Sequence, residues 1–279
     1  MVATPIGNLA DISLRALHVL GLVDRIACED SRHTSALLTA YGLHKPLLPV
    51  HQHNEQSAAT QVLEHLRAGE RIAYVSDAGT PGVSDPGAVL VHAVQAQGFR
   101  VMPLPGASSV TALISATGGP RHDDAWARQG FVFAGFLPAK GQARSEALQA
   151  LGSQERPVVF MEAPHRLDKL ALELLAFGQR TLVLGRELSK RFEQIERIEC
   201  AALAPWLSAD AQRSKGEFVL VLMPAIAQAD ASLAQASAVL DLLLEELSVK
   251  SASRLAAAIT GHNKKALYDL ALQRQGRKA

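Results

Sequence analysis

The chain has 279 residues, 48% of them hydrophobic, and a formal net charge of +1. That length can bury a substantial core in two or three domains, and no apolar run approaches the ~20 residues of a membrane-spanning helix. Ordinary glycine and proline contents exclude collagen-like and low-complexity chains. The two cysteines, Cys28 and Cys200, are far apart in sequence. They fit reduced cytoplasmic thiols better than a disulfide framework, and no signal peptide is expected.

Residues 2–4 read as a short strand stub, followed by the turn Pro5-Ile6-Gly7-Asn8. The chain begins almost inside this strand, so either the strand is very short or a few residues are missing before Met1. Asp11 is placed to cap a helix over 12–22, and 25–29 is the next strand. Ser31 caps a helix that stops at Gly42, with Glu29 and Asp30 as alternative caps, and a further helix covers 57–68. Two strand-loop-helix units then stand back to back between Arg71 and Gly119. Each starts with a short apolar run, 72–75 and 101–104, turns through glycine and proline, and enters a helix. Ser84 or Asp85 is the expected N-cap ahead of Pro86, and Ser108 caps the second helix. As adjacent parallel strands, the two runs would set both loops at the carboxyl edge of a sheet, where open α/β proteins bind ligands. Gly79, Gly82 and Gly106 allow close backbone approach and leave N–H groups for a ligand, although two ordinary βα turns would read the same way. The βαβα order predicts an α/β domain over 1–118 with a mainly parallel sheet.

At 118–127 the pattern changes to a polar, turn-rich stretch suited to a hinge. Five strand-like runs follow, FVFAGFL, PVVFMEA, RTLVLGREL, ERIECAAL and GEFVLVLM, with only two clear helices, 142–151 and 166–177. They predict an α+β domain over 119–226 with mixed strand pairing. The rest is helical: 233–247, 251–260, a turn at Gly261, and 263–273, the last two resembling a helix-turn-helix pair. Charge is uneven. The last thirty residues hold seven Lys or Arg and one acid, Asp269, for +6, which leaves −5 on the preceding 249. A basic tail on an acidic body suggests contact with a polyanion over 227–279, through Arg254, Lys264, Lys265, Arg274, Arg277 and Lys278. Lys264 and Lys265 begin a helix, where they oppose its dipole unless an anion compensates. A solvated basic face, or helices packed through Leu255, Ile259, Leu267 and Leu270, is the structural alternative.

Several chemistries are missing: there is no Walker A loop, HExxH, GxSxG or CxxC. His51 and His53 alternate on an extended segment without an evident third ligand, so no metal is expected. GxGxxG is absent, although TPIGNL sits where such a loop would be.

Eight segments then occur in order: TPIGNLADIS, ACEDSRHTSALL, VSDAGTPGVSDPG, PLPGASSVTALISATG, FAGFLP, FMEAPHRL, GREL and KGEFVLV. Together they resemble the ribosomal RNA small-subunit methyltransferase I family of the tetrapyrrole-methylase superfamily, over nearly the whole chain. The resemblance implies two α/β domains with S-adenosylmethionine in the cleft between them, usually as a homodimer. It implies 2′-O-methylation of a cytidine ribose in the decoding region of 16S rRNA, within the 30S subunit. By the same resemblance the cofactor loop is Gly79, Thr80, Pro81, Gly82 and Val83. Ser108 and Ser109 are a second contact, Leu9 a third and Met161 an adenine-side residue. Arg186, Glu187, Gly216 and Glu217 close the site.

A sulfonium methyl is already activated, so the enzyme must mainly position the 2′-hydroxyl and assist loss of its proton. Candidate bases are Asp30, Asp77, Glu162 and His165, and the sequence does not choose among them. Arg32, Arg166, Arg186 and Lys190 are candidates for holding phosphates, or for salt bridges at the domain interface. Two rival functions remain. A small-molecule methylase acting on a tetrapyrrole would share the cofactor loops without needing the basic tail. A non-catalytic RNA-binding protein would need the tail without the loops.

Overall fold

The computed structural model describes residues 1–51, 54–118, 130–225 and 229–275. His53, Arg277 and Lys278, and most of the expected hinge, lie outside them. The chain divides into two compact units, Met1–Pro224 and Ala225–Ala279.

The first unit begins with a parallel sheet of order β2-β1-β3, formed by β1 (Arg25–Cys28), β2 (Leu47–Pro49) and β3 (Ile72–Val75). Helices cover both faces, which is why β1 and β3 are apolar without alternation. On one face α1 (Leu14–Leu22) and α2 (Ser31–Ala40) bring Ala16, Leu20 and Leu38 against Ile26, Cys28 and Val75. On the other, α3 (Glu55–Arg67) and α4 (Ala88–Ala96) bring Ala58, Val62, Leu90 and Val94 against Ala27 and Tyr74.

Ser13, not the expected Asp11, caps α1 by accepting from Ala16 N at 3.0 Å. For α2 the cap is Asp30, one of the two alternatives to Ser31, accepting from Arg32 N at 2.8 Å. Helix α4 starts at Ala88, after Pro86 and Gly87, because Gly87 adopts φ 125°. Its cap is therefore neither Ser84 nor Asp85. The runs at 72–75 and 101–104 are not neighbours either. The N-terminal stub lies between them: Val2 N donates to Tyr74 O at 2.8 Å and Leu104 N donates to Met1 O at 2.9 Å. Beyond single bridges at Val2–Leu104 and Thr4–Gly79, these segments form no ladder.

The second sheet has the order β4-β5-β8-β6-β7, from β4 (Val132–Phe136), β5 (Val158–Glu162), β6 (Thr181–Arg186), β7 (Gln194–Glu199) and β8 (Phe218–Leu222). Only β4–β5 is parallel; the other pairs are antiparallel. Alternate residues sort onto two faces. Val158, Phe160, Leu182, Leu184, Leu220 and Leu222 meet α7 (Leu167–Leu174) and α8 (Leu203–Ser208), in a core that also holds Leu151 of α6 (Gly141–Ser153). Val159, Val183, Val219 and Val221 meet Val110 and Leu113 of α5 (Ser109–Thr117). A helix that follows the first sheet is thus buried against the second. Gly185 makes room for it, since a Cβ there would stand 2.9 Å from Leu113 Cδ1.

Among its described residues the second unit has three helices, α9 (Ala229–Glu246), α10 (Val249–Thr260) and α11 (Lys264–Gln275), around Ala236, Leu240, Ala252, Ala256, Leu267 and Ala271. Gly261 ends α10 in the left-handed region at φ 71° and donates to Ala257 O, as in an αL cap. Asn263 caps α11 by accepting from Lys265 N at 2.8 Å. No described helix is long and apolar enough to cross a membrane.

Leu113 is fully buried at the junction of the two halves of the first unit. Leu113→Ala is expected to cost about 2–5 kcal/mol in urea denaturation. An unchanged unfolding midpoint would contradict this packing role.

Candidate active site

A cavity of about 360 Å³ lies where the loop after β3 and the start of α5 face the ends of β5, β6 and β8. One wall is stitched from three loops. Thr4 and Gly79 exchange backbone hydrogen bonds at 2.9 and 3.0 Å, and Thr80 Oγ1 donates to Ala107 O at 3.0 Å. Gly79 therefore does not offer its N–H to a ligand. Ser108 occupies the N-cap position of α5 without a side-chain capping bond. Ser108, Ser109 and Val110 line the cavity at the positive end of the helix dipole.

The opposite wall presents Phe136, Met161, Ala163, Pro164, Leu188, Phe218 and Val219. Its strand ends are locked together. Glu187 Oε1 accepts from Glu217 N and from Lys190 Nζ, both at 2.9 Å, and Lys190 also pairs with Glu217 at 3.0 Å. Gly216 is obligatory for this closure: its φ is 94°, and a Cβ would stand 2.6 Å from the Glu187 side chain. The Lys190 stem in turn crosses Gly7 of the first loop, where a Cβ would overlap it.

Of the residues expected around a cofactor, Gly79, Thr80, Val83, Ser108, Ser109, Met161 and Glu217 line this cavity. Leu9, Pro81, Gly82, Arg186, Glu187 and Gly216 border it only indirectly or not at all. Leu9 is half exposed and its carbonyl accepts from the Tyr41 hydroxyl. Arg186 is turned to Lys215 O, at 2.7 Å, and to Gln194. Gly82 has no atom within 4 Å of where its Cβ would be, so its φ of 84° and not close approach is what favours glycine.

The candidate bases are mostly committed. Asp30 binds Arg32 at 2.5 Å, and the hydrogen bonds from Arg32 hold its carboxyl well below the usual range. Asp77 accepts from Asp30 N at 3.0 Å and faces His33 at 3.4 Å. Glu162 borders the cavity, but its carboxylate is buried between Arg144 at 2.8 Å and Arg166 at 2.7 Å. His165 is exposed and outside the cavity lining. Among the expected phosphate contacts, Arg166 and Lys190 are held in these ion pairs, and Arg274 pairs with Asp241. Arg32, Arg254, Lys264 and Lys265 are exposed. Among the described residues no cluster of three or more His, Cys, Asp or Glu is placed to hold a metal.

Sequence reasoning missed Asp85, which lines the cavity. Burial, then the nearby Glu29 and Asp77 carboxylates, push its carboxyl up to about 6 from an ordinary 3.8, opposed by the neighbouring Ser76 hydroxyl. The Ser-Asp-Pro-Gly run carried the signal: proline and a positive-φ glycine after Asp85 delay the helix and leave this carboxylate in the loop. Ile6, Phe136 and Leu188 were also missed, because long-range folding brings them together.

The comparisons with known proteins agree with this architecture. Residues 1–204 match the family of tetrapyrrole (corrin/porphyrin) methylases, and 230–275 match the RsmI C-terminal HTH domain. Solved structures with the same fold include a diphthine synthase (TM-score 0.62, 15% identity, 80% of this chain and 88% of that one). Another is a cobalt precorrin-4 methyltransferase (TM-score 0.59, 18%, 79% and 92%). A third is a Thermus thermophilus uroporphyrin-III C-methyltransferase complexed with S-adenyl homocysteine (TM-score 0.54, 18%, 79% and 94%). The class is thus a tetrapyrrole-methylase-fold protein.

Curated relatives narrow it. The ribosomal RNA small subunit methyltransferase I of Pseudomonas aeruginosa is 46% identical over 99% of this chain and 97% of its own. That of Escherichia coli O157:H7 is 45% identical over 99% and 95%. The chain belongs to the ribosomal RNA small subunit methyltransferase I family.

Because the folded-state value of Asp85 lies above the unfolded one, the native protein binds the extra proton between pH ~4 and ~6. This group's contribution to stability therefore falls as pH rises through that window. Asp85→Asn should raise Tm relative to the parent at pH 7.5 and by much less at pH 4. Equal shifts at both pH values would contradict a half-buried carboxylate without an ion pair.

Proposed function

We infer that the protein transfers a methyl group from S-adenosylmethionine to the ribose 2′-hydroxyl of a cytidine in the decoding region of 16S rRNA. The observation that carries this reading is the cavity itself, with a polar wall facing an apolar one. Its residues fit the donor. The start of α5 and the loop at 79–83 offer polar groups for the charged amino-acid end, while Met161, Leu188 and Val219 offer an apolar slot for adenine. When bound, S-adenosylmethionine supplies an activated methyl on a sulfonium. What remains for the chain is to align the ribose oxygen with that methyl and to receive a proton.

Small-subunit rRNA as the acceptor is supported by the names of relatives that match almost end to end. The helical unit supports it too, with exposed Arg254, Lys264 and Lys265. Asn263 already caps α11, yet two lysines in its first turn still oppose the helix dipole, which suits a phosphate contact. We read 1–118 and 119–226 as the two halves of the cofactor cleft and 227–279 as the RNA-docking module, in a cytoplasmic homodimer acting on the 30S subunit. No metal is required in this scheme.

The test supplies labelled S-adenosylmethionine to the full chain and to a truncation ending at Pro224, with unmethylated 30S subunits and a small-molecule extract. The full chain should place the label in rRNA as 2′-O-methylcytidine. The truncation should keep its cofactor affinity by calorimetry and lose methylation of the 30S subunit about tenfold or more. Label in a small molecule would overturn the acceptor, and undiminished rRNA methylation by the truncation would overturn the docking role.

A further inference from the structure

Three acids line the cavity among the described residues: Asp85, Glu162 and Glu217. Glu162 is closed between Arg144 and Arg166, and Glu217 is paired with Lys190. Asp85 makes no ion pair among the described residues, and the nearby Ser76 hydroxyl donates to Ala78 O at 3.3 Å. It sits on the same loop as Gly79, Thr80 and Val83, across from Met161 and Pro164. Its position is fixed from behind, because Gly87 N, two residues on, donates to Glu55 Oε1 of α3 at 2.7 Å. A carboxylate held in the wall of a methyl-transfer cavity, and not neutralised by a cation, has the geometry of a proton acceptor.

We propose that Asp85 is the general base that takes the proton of the ribose 2′-hydroxyl. This rests on the functional reading above. In the step, the bond from the 2′-oxygen to the methyl carbon forms as the carbon–sulfur bond breaks. That electron pair stays on sulfur, which becomes a neutral thioether, and the hydroxyl proton passes to the Asp85 carboxylate and then to water. The groups that face Asp85 are Glu29 at the end of β1, Asp77 and Ser76 after β3, and Tyr74 on β3; the acids among them raise its basicity. Glu55 of α3 stands behind, and Glu162 and Glu217 lie on the far wall with their own cations. A base titrating near pH 6 is ionised at neutral pH while remaining basic enough to accept a proton as charge develops.

The test is single-turnover methylation of unmethylated 30S subunits from pH 5 to 8.5, with S-adenosylmethionine affinity measured in parallel by calorimetry. The parent rate should rise through an apparent pKa near the value for Asp85 and then level. Asp85→Asn should keep cofactor affinity, slow the step about 10²–10⁴-fold and remove the rising limb. Asp85→Glu should restore part of the rate together with the limb. Asp85→Asn methylating at the parent rate, or losing cofactor affinity in proportion to rate, would overturn the assignment while leaving the rRNA reading intact. A parent protein that binds the cofactor yet methylates no 30S subunit would refute the rRNA reading, and the role of Asp85 with it.

Discussion

The burial of α5 against the inner face of the second sheet is the contact on which the site depends. Val110 and Leu113 meet Val159, Val183, Val219 and Val221, and Gly185 leaves the space that Leu113 fills. Because α5 begins at Ser109, this packing holds its polar N-terminus over the ends of β5 and β8. Without it the two sheets would each keep a core, but the cavity between them would have no fixed width. The closures at Thr4–Gly79 and Glu187–Glu217 then trim the two rims.

Electrostatics sorts the carboxylates around this cavity into two groups. Glu162 and Glu217 sit with cations and act as braces. A buried pair such as Arg144–Glu162 adds little net stability, but removing one partner would strand a charge, so it fixes the turn into Ala163 and Pro164. Glu29 and Asp85 instead lie among acids and in partial burial, and their carboxyls are pushed upward.

Much of this was legible in the sequence. Five apolar runs in the second half became five strands, and the glycine-rich turns became loops at the cavity, because buried strands and turn residues leave local signatures. Order within the sheets was not legible. Nothing local says that Val2 inserts between β3 and Leu104, and the three-residue strand β2 is too short to show a period. The same limit applies to the site. Loop residues such as Thr80 and Ser108 were found, whereas Ile6, Phe136 and Leu188 reach it only through tertiary packing. The roles of Arg166, Lys190 and Arg274 could not be read either, since a basic residue at an RNA contact and one in an internal ion pair look alike in sequence.

The most direct measurement is a crystal structure of the full chain with S-adenosylhomocysteine. The ligand is expected between the loop at 79–83 and the ends of β5 and β8, with its amino-acid end toward Ser108 and Ser109 and its adenine against Met161. Its sulfur should face the side of the cavity that carries Asp85. Ligand density elsewhere on the first unit, with this cavity filled only by water, would contradict the assignment of the site.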